Sequence, residues 1–111
     1  MATSYKILGQ IATATLGATT EGTLYTAAAS AVISTIAICN QAGTSATYRI
    51  AIRPAASSTT SALNWLVYGA TVNASDTTFL TIGATLAAGD KIQVYGSTAT
   101  LSFSAFGSEI S

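Results

Sequence analysis

Apolar and polar residues alternate with a period of two along most of this chain, the pattern of strands that bury one face. The alternation predicts eight strands, at about Tyr5–Ile11, Thr23–Ala27, Val32–Cys39, Thr47–Arg53, Leu63–Tyr68, Thr77–Ile82, Lys91–Tyr95 and Thr100–Phe106. The fourth carries the cleanest signal. Tyr48, Ile50 and Ile52 fall on one side of it and Arg49, Ala51 and Arg53 on the other, and Pro54 ends it because proline has no amide for the ladder. The third is a near-continuous apolar run and reads as a central strand. Leu80 and Ile82 point inward from the sixth strand, Ile92 and Val94 from the seventh, and Leu101, Phe103 and Ala105 from the eighth.

Turn chemistry separates these runs. Gly17 to Gly22, Asn40 to Ser45, Asn73 to Asp76, Ala88-Gly89-Asp90 and Gly96-Ser97-Thr98 are the breaks, with a longer Ala/Ser/Thr loop from Ala55 to Ser61. No long segment has a 3.6-residue period. Short strands at regular spacing predict a single all-β domain over residues 1–111, an antiparallel β-sandwich of about eight strands of jelly-roll or Ig-like type. Of the nine aromatics, Tyr48, Trp65 and Phe103 are expected in the core. Tyr68, Tyr95 and Phe106 fall on the opposite phase, where aromatics anchor protein interfaces.

Charge is scarce. Four basic and four acidic residues cancel, and histidine is absent. Binding phosphates takes clustered Lys and Arg, whereas Lys6, Arg49, Arg53 and Lys91 are scattered, so no nucleic-acid partner is expected. Acid–base catalysis needs two carboxylates around one bond. Asp76 and Asp90 instead stand at strand entries, where Asp accepts nearby backbone N–H bonds. With no cluster of metal ligands either, the chain is expected to be no enzyme and to carry no metal or cofactor. Cys39 alone cannot form an internal disulfide and, lacking a histidine base, reads as a small buried hydrophobe.

No apolar stretch approaches the roughly 18 residues of a membrane span, and no long apolar leader is visible, so neither a membrane partner nor export is expected. Almost half of the chain is Ala, Ser and Thr, and a surface so near neutrality favours association. Arg49 and Arg53 share the outward face of the fourth strand, about 13 Å apart at roughly 3.3 Å per residue. They suit either contacts to an acidic neighbour subunit or protection of a sheet face.

Several runs carry a resemblance. They are Tyr5-Lys6-Ile7-Leu8-Gly9-Gln10, Thr23-Leu24-Tyr25-Thr26, Val32 to Asn40, Tyr48-Arg49-Ile50-Ala51-Ile52-Arg53-Pro54-Ala55 and Thr100 to Ile110. Through them the chain resembles a family of small virion structural proteins of tailed bacteriophages of cyanobacteria and other aquatic bacteria. The resemblance implies a structural role in the virion, after synthesis in the bacterial host cytoplasm. Capsid decoration or cement is the first expectation, with the chain itself (as a homotrimer) and the major capsid protein as partners. A tail, neck, baseplate or fibre module is the alternative. A receptor- or carbohydrate-binding module is a third, for which Tyr68, Asn64 and Asp76 are the candidate residues. Arg49, Arg53, Tyr68, Tyr95 and Phe106 are the expected protein-interface residues.

Overall fold

The computed structural model describes residues 3–57 and 59–110. Met1 and Ala2, part of the N-terminal stretch in which no leader is expected, lie outside the described residues, as do Ser58 of the Ala55–Ser61 loop and Ser111. Alternation becomes eight strands: β1 (Thr3–Ala12), β2 (Gly22–Thr26), β3 (Ser30–Asn40), β4 (Ala46–Arg53), β5 (Trp65–Val72), β6 (Thr77–Leu86), β7 (Lys91–Gly96) and β8 (Leu101–Ile110). Two short pieces depart from the all-strand expectation. A single helical turn, α1 (Thr13–Leu16), follows β1, and a 3-10 turn at Ala62–Asn64 takes up Leu63, which the alternation had assigned to the fifth strand. Strands β5, β6 and β8 run on to Val72, Leu86 and Ile110, through Ala, Gly, Ser and Thr residues that carry little periodic signal.

Two four-stranded antiparallel sheets result. The first has the order β1-β8-β3-β6 and the second β2-β7-β4-β5. Strands pair as β1 with β8, β2 with β7, β3 with β6 and β4 with β5, which is one long hairpin folded across two sheets. The β3–β8 and β4–β7 pairs close each sheet. Of the two expected architectures this is the jelly roll: consecutive strands swap sheets except at the β4–β5 turn, and the partners of the rolled hairpin stay together. Every edge strand (β1, β2, β5 and β6) takes part in a register shift, a device that discourages edge-to-edge pairing.

The core lies between the sheets. Ile33, Ile36, Ile38, Leu101 and Phe103 from the first sheet meet Ile50, Ile92 and Val94 from the second, all of them buried. Tyr48 packs edge-on against Phe103, with ring centroids 6.5 Å apart. Leu80 and Ile82 turn toward this core as expected, but on edge strand β6 they are only partly buried. Two glycines let backbones approach closely. A Cβ on Gly9 would stand 2.1 Å from the Leu24 carbonyl oxygen, and one on Gly107 would stand 2.0 Å from that of Val32.

Buried polar groups knit the ends. Asn40 donates from Nδ2 to the carbonyls of Thr44, Val72 and Asn73, while its Oδ1 accepts from the Ala42 amide and the Thr100 hydroxyl. One side chain thereby joins three loops at one end of the sandwich. Thr13 both donates to the Leu101 carbonyl and accepts from the Leu101 amide, at 3.1 and 2.9 Å, which fastens α1 to β8.

Asp90 performs the turn role expected of it. Its carboxylate accepts from the Ala55 amide at Oδ1 and the Ala87 amide at Oδ2, each at 2.9 Å, beside Gly89 at φ 90°. Those amides, Ala87 first, hold its carboxyl below the usual carboxylate range. The folded state therefore favours the ionised form. The stability this contributes is complete above the unfolded-state pKa near ~3.9 and is lost as pH falls through the lower folded value. Thermal melts of the wild type and Asp90→Ala at pH 7, 4 and 2.5 check this. The difference in melting temperature should be largest at pH 7 and shrink at pH 2.5; a constant difference would contradict it.

Candidate functional site

The two outer faces of the sandwich differ in chemistry. On the first sheet, register sets the outward rows. Ile7, Phe106, Thr35 and Thr81 cross the four strands in one row, and Gln10, Ser104, Ala37 and Phe79 in the next. Ala12, Ser102, Cys39 and Thr77 form a third. None of these residues is charged. Lys6 and Glu109, the charged residues of these four strands, lie on the opposite phase: they pair with each other, and the Tyr25 hydroxyl donates to Glu109. Lys6, with Tyr25 second, holds the Glu109 carboxyl below its usual range, and burial raises the Tyr25 hydroxyl.

This neutral face is also apolar at its flanks. Tyr5 is 85% exposed, Ile7 55% and Phe79 68%. Phe106, a sequence-expected interface residue, sits half-buried among them. Cys39 is a correction. It is free and only half-buried on this outer face rather than inside the core, because the register shift near Ser34 reverses the phase of β3.

The outer face of the second sheet holds a cation–aromatic cluster. Tyr95, Arg49 and Tyr68 are direct cross-strand neighbours on β7, β4 and β5. The Arg49 guanidinium carbon lies 4.3 Å from the Tyr95 ring centroid and 4.0 Å from that of Tyr68. Trp65 meets Tyr68 edge-on at 5.5 Å and stands 6.0 Å from the guanidinium. Trp65 is thus on the surface and not in the core as expected. Between Trp65 and Tyr68, periodicity predicts opposite faces, but a register shift against Ile50–Ala51 skips Leu66 and brings both outward. Ala51, fully buried, lies directly opposite Trp65.

Arg53 does not join Arg49. Its guanidinium stands 3.8 Å from Glu21 Oε2, which also accepts from Thr60 and from Gln93 Nε2. Arg53 Nε and Gln93 Oε1 are the buried side-chain polar atoms without a hydrogen bond among the described residues. A shallow groove of about 530 Å³ runs beside Tyr68 and Trp65 along Thr60, Ser61 and Ala62. The candidate saccharide trio does not assemble. Tyr68 faces outward, but Asn64 is buried with Oδ1 accepting from the Ser61 amide and hydroxyl, and Asp76 lies in the β5–β6 loop.

Of the five expected interface residues, Arg49, Tyr68 and Tyr95 form one cluster, Arg53 belongs to the Glu21 network beside it, and Phe106 lies on the other sheet's outer face. Two features escaped sequence reasoning: the neutral rows of the first sheet, assembled by register between distant strands, and the addition of Trp65 to the Arg49 cluster. Among the described residues no His, Cys, Asp and Glu group has the makings of a metal site, and no helix is long and apolar enough to cross a membrane. Comparison with protein-family models and with curated proteins finds no match to this chain.

Proposed function

We propose that this chain is a non-enzymatic structural subunit of a tailed-bacteriophage particle, a decoration protein that cements the capsid through subunit–subunit contacts. The observation that carries this reading is the outer face of the first sheet, a four-strand surface with no charge and with Tyr5, Ile7 and Phe79 exposed. Four strands at about 4.8 Å spacing and nine residues at about 3.3 Å give a face of roughly 600 Å². Covered by a partner of equal area it would bury about 1,200 Å² in total, the lower bound of stable interfaces. Small Ala, Ser and Thr side chains make such a face inexpensive to desolvate, since no ionic hydration is lost. The resemblance to small virion structural proteins supplies the setting. Seated on the major capsid protein as a homotrimer, the subunit would add buried area between neighbouring shell proteins and so raise the cost of separating them.

Gold-labelled antibody against the chain, applied to intact particles of the phage that encodes it, tests the reading. Label should cover the heads, with mass spectrometry of the particle giving far more copies than a tail component has. Label confined to tails would move the protein to the tail, and absence from the particle would end the virion reading.

A further inference from the structure

The eight charges of this chain can be followed one by one. Lys6 pairs with Glu109 at 2.7 Å and Arg53 approaches Glu21 at 3.8 Å. Asp90 spends both carboxylate oxygens on backbone amides, with Lys91 next to it in sequence. Three charges remain among the described residues: Lys91, which makes no ion pair or hydrogen bond, Arg49 and Asp76. Arg49 makes no ion pair and no hydrogen bond among the described residues, and none of its nitrogens is both buried and unpaired. Asp76 is exposed in the β5–β6 loop, where Oδ1 accepts from the Thr77 amide at 2.8 Å and Oδ2 has no partner among the described residues.

Of the two unpaired cations, Arg49 is the one set among aromatic rings. Tyr95 and Tyr68 flank it from the two neighbouring strands, with ring centroids 4.3 and 4.0 Å from the guanidinium carbon. A guanidinium carries its N–H donors in its own plane, and its edge suits two parallel bonds with a carboxylate. Packing between two rings restricts the side chain before a partner arrives, which reduces the entropy lost on pairing. The flanking tyrosines and Trp65 are of the residue types that, with Arg, dominate binding energy at protein interfaces.

We infer that the outer face of the second sheet is a contact between copies of this chain, in which Arg49 of one copy, clasped by Tyr68 and Tyr95, receives the Asp76 carboxylate of the next. Charge complementarity singles out this occupant. Glu21, Asp90 and Glu109 are each engaged within their own subunit, and among the described residues Asp76 is the carboxylate left on an exposed loop with one oxygen unpartnered. Every copy carries both halves of the contact, so it repeats until the assembly closes, head to tail in a ring such as a trimer. The inference rests on the subunit reading above and goes further by naming the face and the residue pair. It leaves the neutral face of the first sheet free to meet the particle.

Sedimentation velocity of the full chain tests it in four versions: wild type, Arg49→Asp, Asp76→Arg and the double swap Arg49→Asp/Asp76→Arg. The wild type should form a closed oligomer that weakens as salt is raised. Each single reversal places like charges in the contact and should weaken association at least tenfold. The double swap should recover most of it. Asp76→Arg leaves the tyrosine clasp untouched, so its effect does not depend on how the cluster tolerates Arg49→Asp. Circular dichroism on each variant should show the wild-type fold. An assembled wild type with unaffected single variants, or a double swap as dissociated as the singles, would overturn this contact and leave the virion reading standing. A wild type monomeric at every concentration would overturn the contact, while particle labelling would still decide the virion reading.

Discussion

Phe103→Ala should destabilise the fold by about 3–5 kcal/mol, measured by urea unfolding of the isolated chain. Phe103 is fully buried near the start of β8, opposite Ile38 of β3 and Ile11 of β1, and its ring meets that of Tyr48 from the other sheet in a T-shaped contact. Truncation removes the largest fully buried side chain and leaves a cavity between two sheets whose backbones are pinned by hydrogen bonds on either side, so little collapse can fill it. Domains of this size are stable by only about 5–15 kcal/mol, so the variant should be partly unfolded at 37 °C. Phe103→Leu should recover much of the loss. A cost below about 1 kcal/mol for the alanine variant would mean that the packing between the sheets is not what holds this fold.

Phe79→Glu should have the opposite profile. Phe79 is exposed on β6, so the fold should change by no more than about 0.5 kcal/mol. Under the proposed cementing role the same carboxylate would be buried in the particle, where the neighbouring outward residues of this chain, Ala37, Ser104 and Gln10, offer it no counter-charge. An uncompensated buried charge costs several kcal/mol, enough to cancel an interface near the lower size limit. A phage encoding Phe79→Glu should therefore make folded protein that is lost from purified particles. Incorporation at the wild-type level would show that this face is not covered.

The strands were legible because burial imposes a period of two. Residues such as Ile50, Ile92, Val94 and Phe103 announce their faces directly, and β4 shows Arg49 and Arg53 outward without ambiguity. What alternation could not carry is a change of phase within a strand. A bulge adds a residue to one strand only, and nothing in the residues near Ser34 or Leu66 signals it. Alternation therefore puts Cys39 and Trp65 inside, whereas both lie on outer faces. The charge pairs were hidden for another reason. Glu21 and Arg53, or Lys6 and Glu109, are brought together by sheet order, and many orders are compatible with one set of eight strands. The sequence nonetheless contained the controlling fact, that so few charges exist. The structure adds their placement, which leaves one outer face with none.

Cys39 offers a direct reading of that face, since it is the chain's single cysteine and stands half-buried on the outer rows of the first sheet. The decisive measurement is its rate of alkylation by a small maleimide in the isolated chain and in intact particles. Slow or absent modification in the particle, restored when the particle is dissociated without unfolding the subunit, is the predicted result. Equal rates in the two states would contradict the claim that the uncharged face is buried against another protein.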